Sequence, residues 1–174
     1  MRNDPDRLAA LRRAMILDSS PEQAFDDITR LLATSLDVPI ALVNMLDEDR
    51  DWFKSRVGIG LTQSAAATSL CDVFFAESAD LIVVQDTQLD ARFNANPLVT
   101  GQPFVRFYAA ARLMVDGATI GTLCAYDFKP KALGAEQLDQ LRTMAATAIS
   151  MLKQRAAPMP TTAPTSAPTT APTP

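Results

Sequence analysis

Apolar residues recur along this chain in two rhythms, and the changes between them mark out its elements. Phe25, Ile28, Leu31, Leu32 and Leu36 return every three or four positions, which places them on one face of a helix over about 21–37. Ser20-Pro21-Glu22-Gln23 opens it. A serine with glutamine three residues on is a capping-box pattern, and the proline sits where its missing N–H costs nothing. A shorter helix precedes it, with Asp4-Pro5 as N-cap and first-turn proline and Leu8, Leu11 and Met15 as its face; Asp18-Ser19-Ser20 interrupts it.

After Val38-Pro39 the rhythm becomes extended. Residues 40–46 form an apolar run of strand length, Asp47-Glu48-Asp49 a charged turn, and residues 51–57 a hairpin partner closed by Gly58 and Gly60. Leu70, Val73 and Phe74 share a helical face and predict a short helix. Leu81-Ile82-Val83-Val84 reads as a buried strand. The stretch 87–103 is rich in Asp, Asn, Gly and Pro, and a connection that long is either a functional loop or holds short helices of its own. Segments 105–115 and 119–126 flank Asp116-Gly117, a pair that tolerates positive φ and predicts a hairpin. Five strands are thus expected.

The last helix opens near Gly134 and runs to about Ala156. Leu138, Leu141, Ala145, Ala148 and Leu152 are spaced three and four apart, as in a coiled-coil seam, and Met144, Ile149 and Met151 widen the apolar surface. This pattern suggests two partners for one helix, its own sheet and a second chain, so a homodimer through the terminal helices is expected. Residues 158–174 hold only Pro, Thr, Ala, one Ser and one Met, with no charge, and read as a disordered tail. The folding unit is therefore residues 1–157.

Composition narrows the chemistry. Sixteen basic and twenty acidic residues give a net charge of −4, which argues against a nucleic-acid partner. No apolar stretch approaches the roughly 20 residues that span a bilayer, so no membrane partner is expected and the chain is placed in the cytoplasm. The two cysteines, Cys71 and Cys124, are far apart in sequence and fit buried thiols in a reducing compartment. There is no histidine. That removes Ser-His-Asp and Cys-His catalytic pairs and His-ligated haem, zinc or iron. No catalytic residue, metal site or cofactor is predicted.

Several blocks resemble one family. Residues 21–29 (Pro-Glu-Gln-Ala-Phe-Asp-Asp-Ile-Thr), 38–43, 47–55 (Asp-Glu-Asp-Arg-Asp-Trp-Phe-Lys-Ser), 90–97 (Asp-Ala-Arg-Phe-Asn-Ala-Asn-Pro), 106–113 and 120–124 are similar, in order, to the bacterial GAF sensory domain. The resemblance covers roughly 7–155. It implies an α+β fold: an antiparallel sheet of five or six strands, terminal helices on one face, and short helices and loops over a small-molecule pocket on the other. It also implies a sensory role, usually upstream of a histidine kinase or diguanylate cyclase. Here the Pro/Thr/Ala tail follows instead, so a signal is expected to leave through dimerisation or a signalling partner. Where relatives carry Phe-Cys-x-His this chain has Leu70-Cys71-Asp72-Val73, which argues against a bilin on Cys71. The signature of cyclic-nucleotide-binding relatives is not recognisable, and two distant thiols match the free methionine sulfoxide reductases poorly.

Candidate ligand-binding residues are Cys71, Phe74, Asp86, Asp90, Arg92, Phe93, Asn94, Arg106 and Tyr108. Asp86, Asp90, Arg92 and Asn94 lie in the long connection, where they either face a ligand or shape the loop, Arg92 pairing with Asp86 or Asp90. Phe93 reads as a lid residue. Arg106 and Tyr108 alternate on a strand and either bind an anion together or face solvent with Phe107 inward. Cys71 as a redox sensor needs an accessible thiolate, which neighbouring Asp72 opposes; a buried, inert thiol is preferred. The leading expectation is a non-enzymatic sensor with an unidentified small-molecule ligand. The alternatives are a protein-interaction module with a vestigial pocket and a thiol-dependent reductase.

Overall fold

The computed structural model describes residues 1–157; the expected disordered tail lies outside the described residues. Two helices come first, α1 (Pro5–Arg13) and α2 (Gln23–Leu36), then strands β1 (Ile40–Leu46), β2 (Arg50–Val57) and β3 (Gln63–Ala65). A short helix α3 (Val73–Ala76), strand β4 (Leu81–Val84) and short helix α4 (Pro97–Thr100) follow. Strands β5 (Phe107–Val115) and β6 (Ala118–Asp127) and the long α5 (Ala135–Ala156) complete the chain. The six strands form one antiparallel sheet in the order β3-β2-β1-β6-β5-β4. β3 is the strand missed from sequence; at three residues, mostly exposed, it carries no apolar signal.

Helices α1, α2 and α5 cover one face. Leu11, Ile16, Phe25, Leu32, Leu36, Leu141, Ala148 and Leu152 meet Val43, Phe107, Ala109, Leu113, Ile120 and Leu123 there, all buried. Each large aliphatic side chain so enclosed contributes about 1.5–3 kcal/mol. The opposite face packs Leu42, Phe53, Tyr108, Ala110 and Cys124 under Leu70, Cys71, Phe74, Phe93 and Val99 from the short helices and loops. The sheet is thus dry on both sides, and its alternate residues serve two separate layers.

Several expectations change in detail. Met15 does not continue the α1 face: it has φ 48° and is exposed, while Ala14 and Ile16 are buried instead. The Ser20 capping box does not form. Ser19 Oγ and the Ser20 carbonyl accept from Lys54 Nζ, whose head is fully buried and also pairs with Glu22 Oε2, so α2 begins at Gln23. Lys54 occupies the extra position of a bulge, since Val43 faces Ser55 while Asn44 faces Phe53. Leu31 is exposed at the α2/α5 groove rather than in the core. In α5, Leu141, Ala145, Ala148 and Leu152 are buried against the chain's own sheet and α2, so their spacing is accounted for without a second chain.

Gly121 in β6 lies opposite Met45 of the adjacent strand β1. A Cβ added there would lie 2.4 Å from the Asn44 carbonyl oxygen and 2.4 Å from Met45 Cε, whereas at Gly60 it would meet nothing within 4 Å. Gly121→Ala is expected to lower unfolding stability by about 2 kcal/mol or more, and Gly60→Ala to change it by less than about 0.5 kcal/mol. Equal urea midpoints for the two variants would contradict the close approach.

Candidate functional site

Asn44 is the one strongly polar residue in the otherwise apolar β1, and β2 brings Asp51 to the same face of the sheet. Asp51 is 3% exposed. Burying a carboxylate costs several kcal/mol unless it is paired and hydrogen-bonded, and here three donors converge on it. Asn44 Nδ2 reaches Oδ2 at 3.0 Å, Ser69 Oγ donates to the same oxygen, and Arg2 Nη2 reaches Oδ1 at 2.7 Å. Arg2 also donates to Asp72 Oδ1 at 2.8 Å and to the carbonyls of Asp47 and Arg50 at 2.7 and 3.2 Å. Asp72 is therefore turned to Arg2 rather than to its neighbour Cys71. The Asn44 Oδ1 is buried without a partner among the described residues.

Beside this cluster, on the same face, Cys71 is wholly enclosed. Thr122 Oγ1 lies 3.1 Å from its sulfur, Tyr108 donates to it at 3.2 Å, Asn44 Nδ2 approaches to 3.6 Å and Tyr126 Oη to 3.7 Å. Burial and the charge of Asp51 push the Cys71 thiol up, but the neighbouring Cys124 thiol and the Thr122 and Tyr108 hydroxyls outweigh them and hold it below its ordinary value. Cys124, distant in sequence, is brought next to Cys71; burial and the neighbouring sulfur push its thiol well up. Burial and the two cysteines do the same to Tyr108 and Tyr126, of which Tyr126 is the less enclosed.

Between this polar cluster and the loops lies a small cavity of about 130 Å³. Apolar side chains, among them Leu42, Phe53, Leu70, Leu98 and Val105, and the Tyr126 ring form most of its wall, with Asp51, Ser64 and Ser69 supplying polar atoms. Larger depressions of about 590 and 550 Å³ exist elsewhere, but the first is lined mainly by charged and polar residues and both are open at the surface. A mainly apolar, less open pocket with a few convergent polar groups is the better ligand site. Among the described residues no group of three or more His, Cys, Asp or Glu stands where it could hold a metal.

The nine residues selected from sequence fall into two groups. Cys71, Phe74, Phe93 and Tyr108 are buried together on the cavity face, with the Phe93 and Tyr108 rings 5.5 Å apart, but none of them lines the cavity. The others build the loop. Arg106 pairs with Asp86 at 2.8 Å and Arg92 with Asp90 at 2.8 Å and Glu77 at 2.7 Å; these bonds hold the Asp86 and Asp90 carboxyls below the usual range. Asn94 is exposed, its N–H bonded to the Asp90 carbonyl. Arg106 and Tyr108 therefore do not converge on one ligand: the first turns to Asp86 at the rim and the second is interior. The residues missed, Arg2, Asn44, Asp51, Ser69 and Tyr126, had one readable signal in Asn44, a lone amide inside an apolar strand.

Comparison with known proteins matches residues 20–151 to the GAF domain model. A cyclic di-GMP phosphodiesterase of Pseudomonas aeruginosa is 32% identical over 136 residues, which is 78% of this chain and 23% of that protein; the chain spans about a quarter of that relative. Among solved structures, the GAF domain of an Acinetobacter phosphoenolpyruvate-protein phosphotransferase superposes with a TM-score of 0.61 at 16% identity, covering 87% of this chain and 95% of that one. A type II free methionine-R-sulfoxide reductase from Thermoplasma acidophilum gives 0.58 at 14% identity, covering 74% and 89%. At those identities the likeness is one of fold.

Two measurements check the interior chemistry. A thiol reagent is expected to label neither Cys71 nor Cys124 in the native protein and both after denaturation; rapid native labelling of Cys71 would contradict its enclosure. The chain's two tyrosines keep their protons in the fold where the unfolded chain loses them near their ordinary pKa of about 10. The stability they contribute is complete below that pH and is lost as pH rises above it. Phenolate absorbance is therefore expected only together with unfolding. A native-state titration step near the ordinary tyrosine pKa would contradict it.

Proposed function

The chain belongs to the GAF domain family, and from that premise we propose that it senses a small molecule in the cavity beside Asp51 and signals through its helix layer. The observation that carries this reading is the cavity itself: half-closed, mainly apolar, about 130 Å³, with a carboxylate and hydroxyls at one end. Engineered apolar cavities of roughly 150 Å³ hold a benzene-sized guest. The part of the occupant held inside is accordingly a single ring or a short branched chain.

An output route is supported by the residues that cross the sheet. Phe53 lines the cavity, while the next residue, Lys54, points to the helix face and pairs with Glu22. Glu22 also binds Arg155 at 2.7 Å, and Arg155 donates to the carbonyls of Ala14 and Met15 at 3.1 and 2.7 Å. A shift of β2 on binding would reach the end of α5 through this chain of contacts, and a ligand moves such an equilibrium by its differential affinity for the two arrangements. The receiver is a second copy joined through the terminal helices or a separate signalling protein, and nucleic acid and membrane have no part in the reading. Two free thiols suit a cytoplasmic setting; no helix among the described residues is long and apolar enough to cross a membrane.

The reductase alternative gains from the closeness of Cys71 and Cys124, but neither lines the cavity, so a sulfoxide has no path to either. We read the domain as a receptor without a reaction of its own.

Protein purified from its host and examined by native mass spectrometry is expected to carry a retained small-molecule ligand. Leu98→Trp, which fills the cavity from α4, is expected to abolish that mass while changing the melting temperature by only a few degrees. Retention of the same ligand by the variant would move the site elsewhere.

A further inference from the structure

We propose that the cavity selects a small apolar molecule bearing an ammonium group, and that Arg2 is a built-in competitor which this ligand displaces from Asp51, freeing the N-terminal segment. The proposal rests on the cavity reading above and adds the ligand's charge and its consequence for the chain. Asp51 is the one charged residue in the cavity wall; every other lining residue is apolar or carries only a hydroxyl. Its oxygens are unequally engaged. Oδ2 takes both Asn44 and Ser69, whereas Oδ1 takes only Arg2, which reaches Asp51 without itself lining the cavity. A carboxylate at the end of an apolar pocket favours a cation, because there the attraction is weakly screened and a neutral guest leaves it unexploited.

Arg2 is bonded to Asp51, Asp72 and the carbonyls of Asp47 and Arg50, yet a neighbouring charge favours its departure. Its guanidinium and that of Arg7 share the ring of Phe75, at 5.8 and 5.1 Å from its centre. Arg7 is 5% exposed and, among the described residues, has no carboxylate within ion-pair distance and no partner for its buried Nη2. Burial and the charge of Arg2 push the Arg7 pKa down to about 10. Departure of Arg2 would relieve this like-charge contact, and its other side-chain partner, Asp72, is half exposed and open to water. Departure would also reach the helix layer: the Arg2 carbonyl accepts from Arg7 Nε at 2.6 Å, and Arg7 Nη1 donates to the Thr119 carbonyl at the start of β6. The segment that includes α1 thus registers whether Asp51 is held from inside or from outside.

The test uses benzylamine and its neutral counterpart of similar size, benzyl alcohol, titrated into the whole chain and followed by amide NMR shifts. Both are expected to shift Phe53, Leu98 and Tyr126. Arg2→Gln is expected to tighten benzylamine binding by about tenfold and to leave benzyl alcohol within about twofold, since only the amine competes with Arg2. In the unaltered protein, saturating benzylamine is expected to speed amide exchange in residues 2–13, and benzyl alcohol is not. Amine affinity that is unchanged in Arg2→Gln, or unchanged exchange in residues 2–13, would overturn the proposal while leaving the cavity as a binding site. If neither compound shifts any cavity residue, the cavity reading falls and the proposal with it. The exchange measurement needs no variant, so a misfolded Arg2→Gln does not decide the outcome.

Discussion

The Asp51 carboxylate sits on the face of the sheet that would otherwise be a plain hydrophobic core, and its burial dictates what surrounds it. A lone carboxylate there would destabilise the domain by several kcal/mol, so donors have to arrive from three directions. Asn44 comes from the adjacent strand, Ser69 from the segment before α3, and Arg2 from the chain's beginning. Sheet, covering loops and N-terminal segment are joined at one atom group. The same convergence gives the cavity its polar end.

The sheet acts as a shared wall between two layers with different tasks. Ala109, Ala110 and Ala111 in β5 are small, which lets helices on one side and loops on the other pack close to the strands, and Gly121 in β6 lets β1 approach closely. The bulge at Lys54 changes the alternation of β2, so that Phe53 serves the cavity while Lys54 reaches the α1–α2 connection. Buried charges recur on both sides in the same form: Asp51 with Arg2 on one, Lys54 with Glu22 on the other. Each joins a strand to a segment near the N-terminus. Polar fastening therefore sets how the layers are placed, while apolar burial supplies the bulk of the stability.

Much of the fold was legible because periodicity reports burial directly. The α2 face, the β5–β6 hairpin around Asp116-Gly117 and the long α5 follow from spacing alone. β3 was not, since it has no apolar pattern, and neither was the start of α2, whose expected cap was lost when Lys54 took the serine groups. The loop candidates Asp86, Asp90, Arg92 and Arg106 have the composition of a site yet are occupied with one another, and composition does not separate those two uses. Asp51 and Arg2 were missed because each looks ordinary in sequence, one in a charged hairpin and one near a terminus. Their importance comes from a contact across 49 residues that no local pattern encodes.

Hydrogen exchange of Asp51→Asn against the unaltered protein tests this account most directly. If Asp51 fastens the layers, the variant loses protection together in residues 2–7 and 69–76 while α2 and α5 keep theirs. Unchanged protection in either segment, or a uniform loss across the whole domain, would show that the buried carboxylate does not hold them.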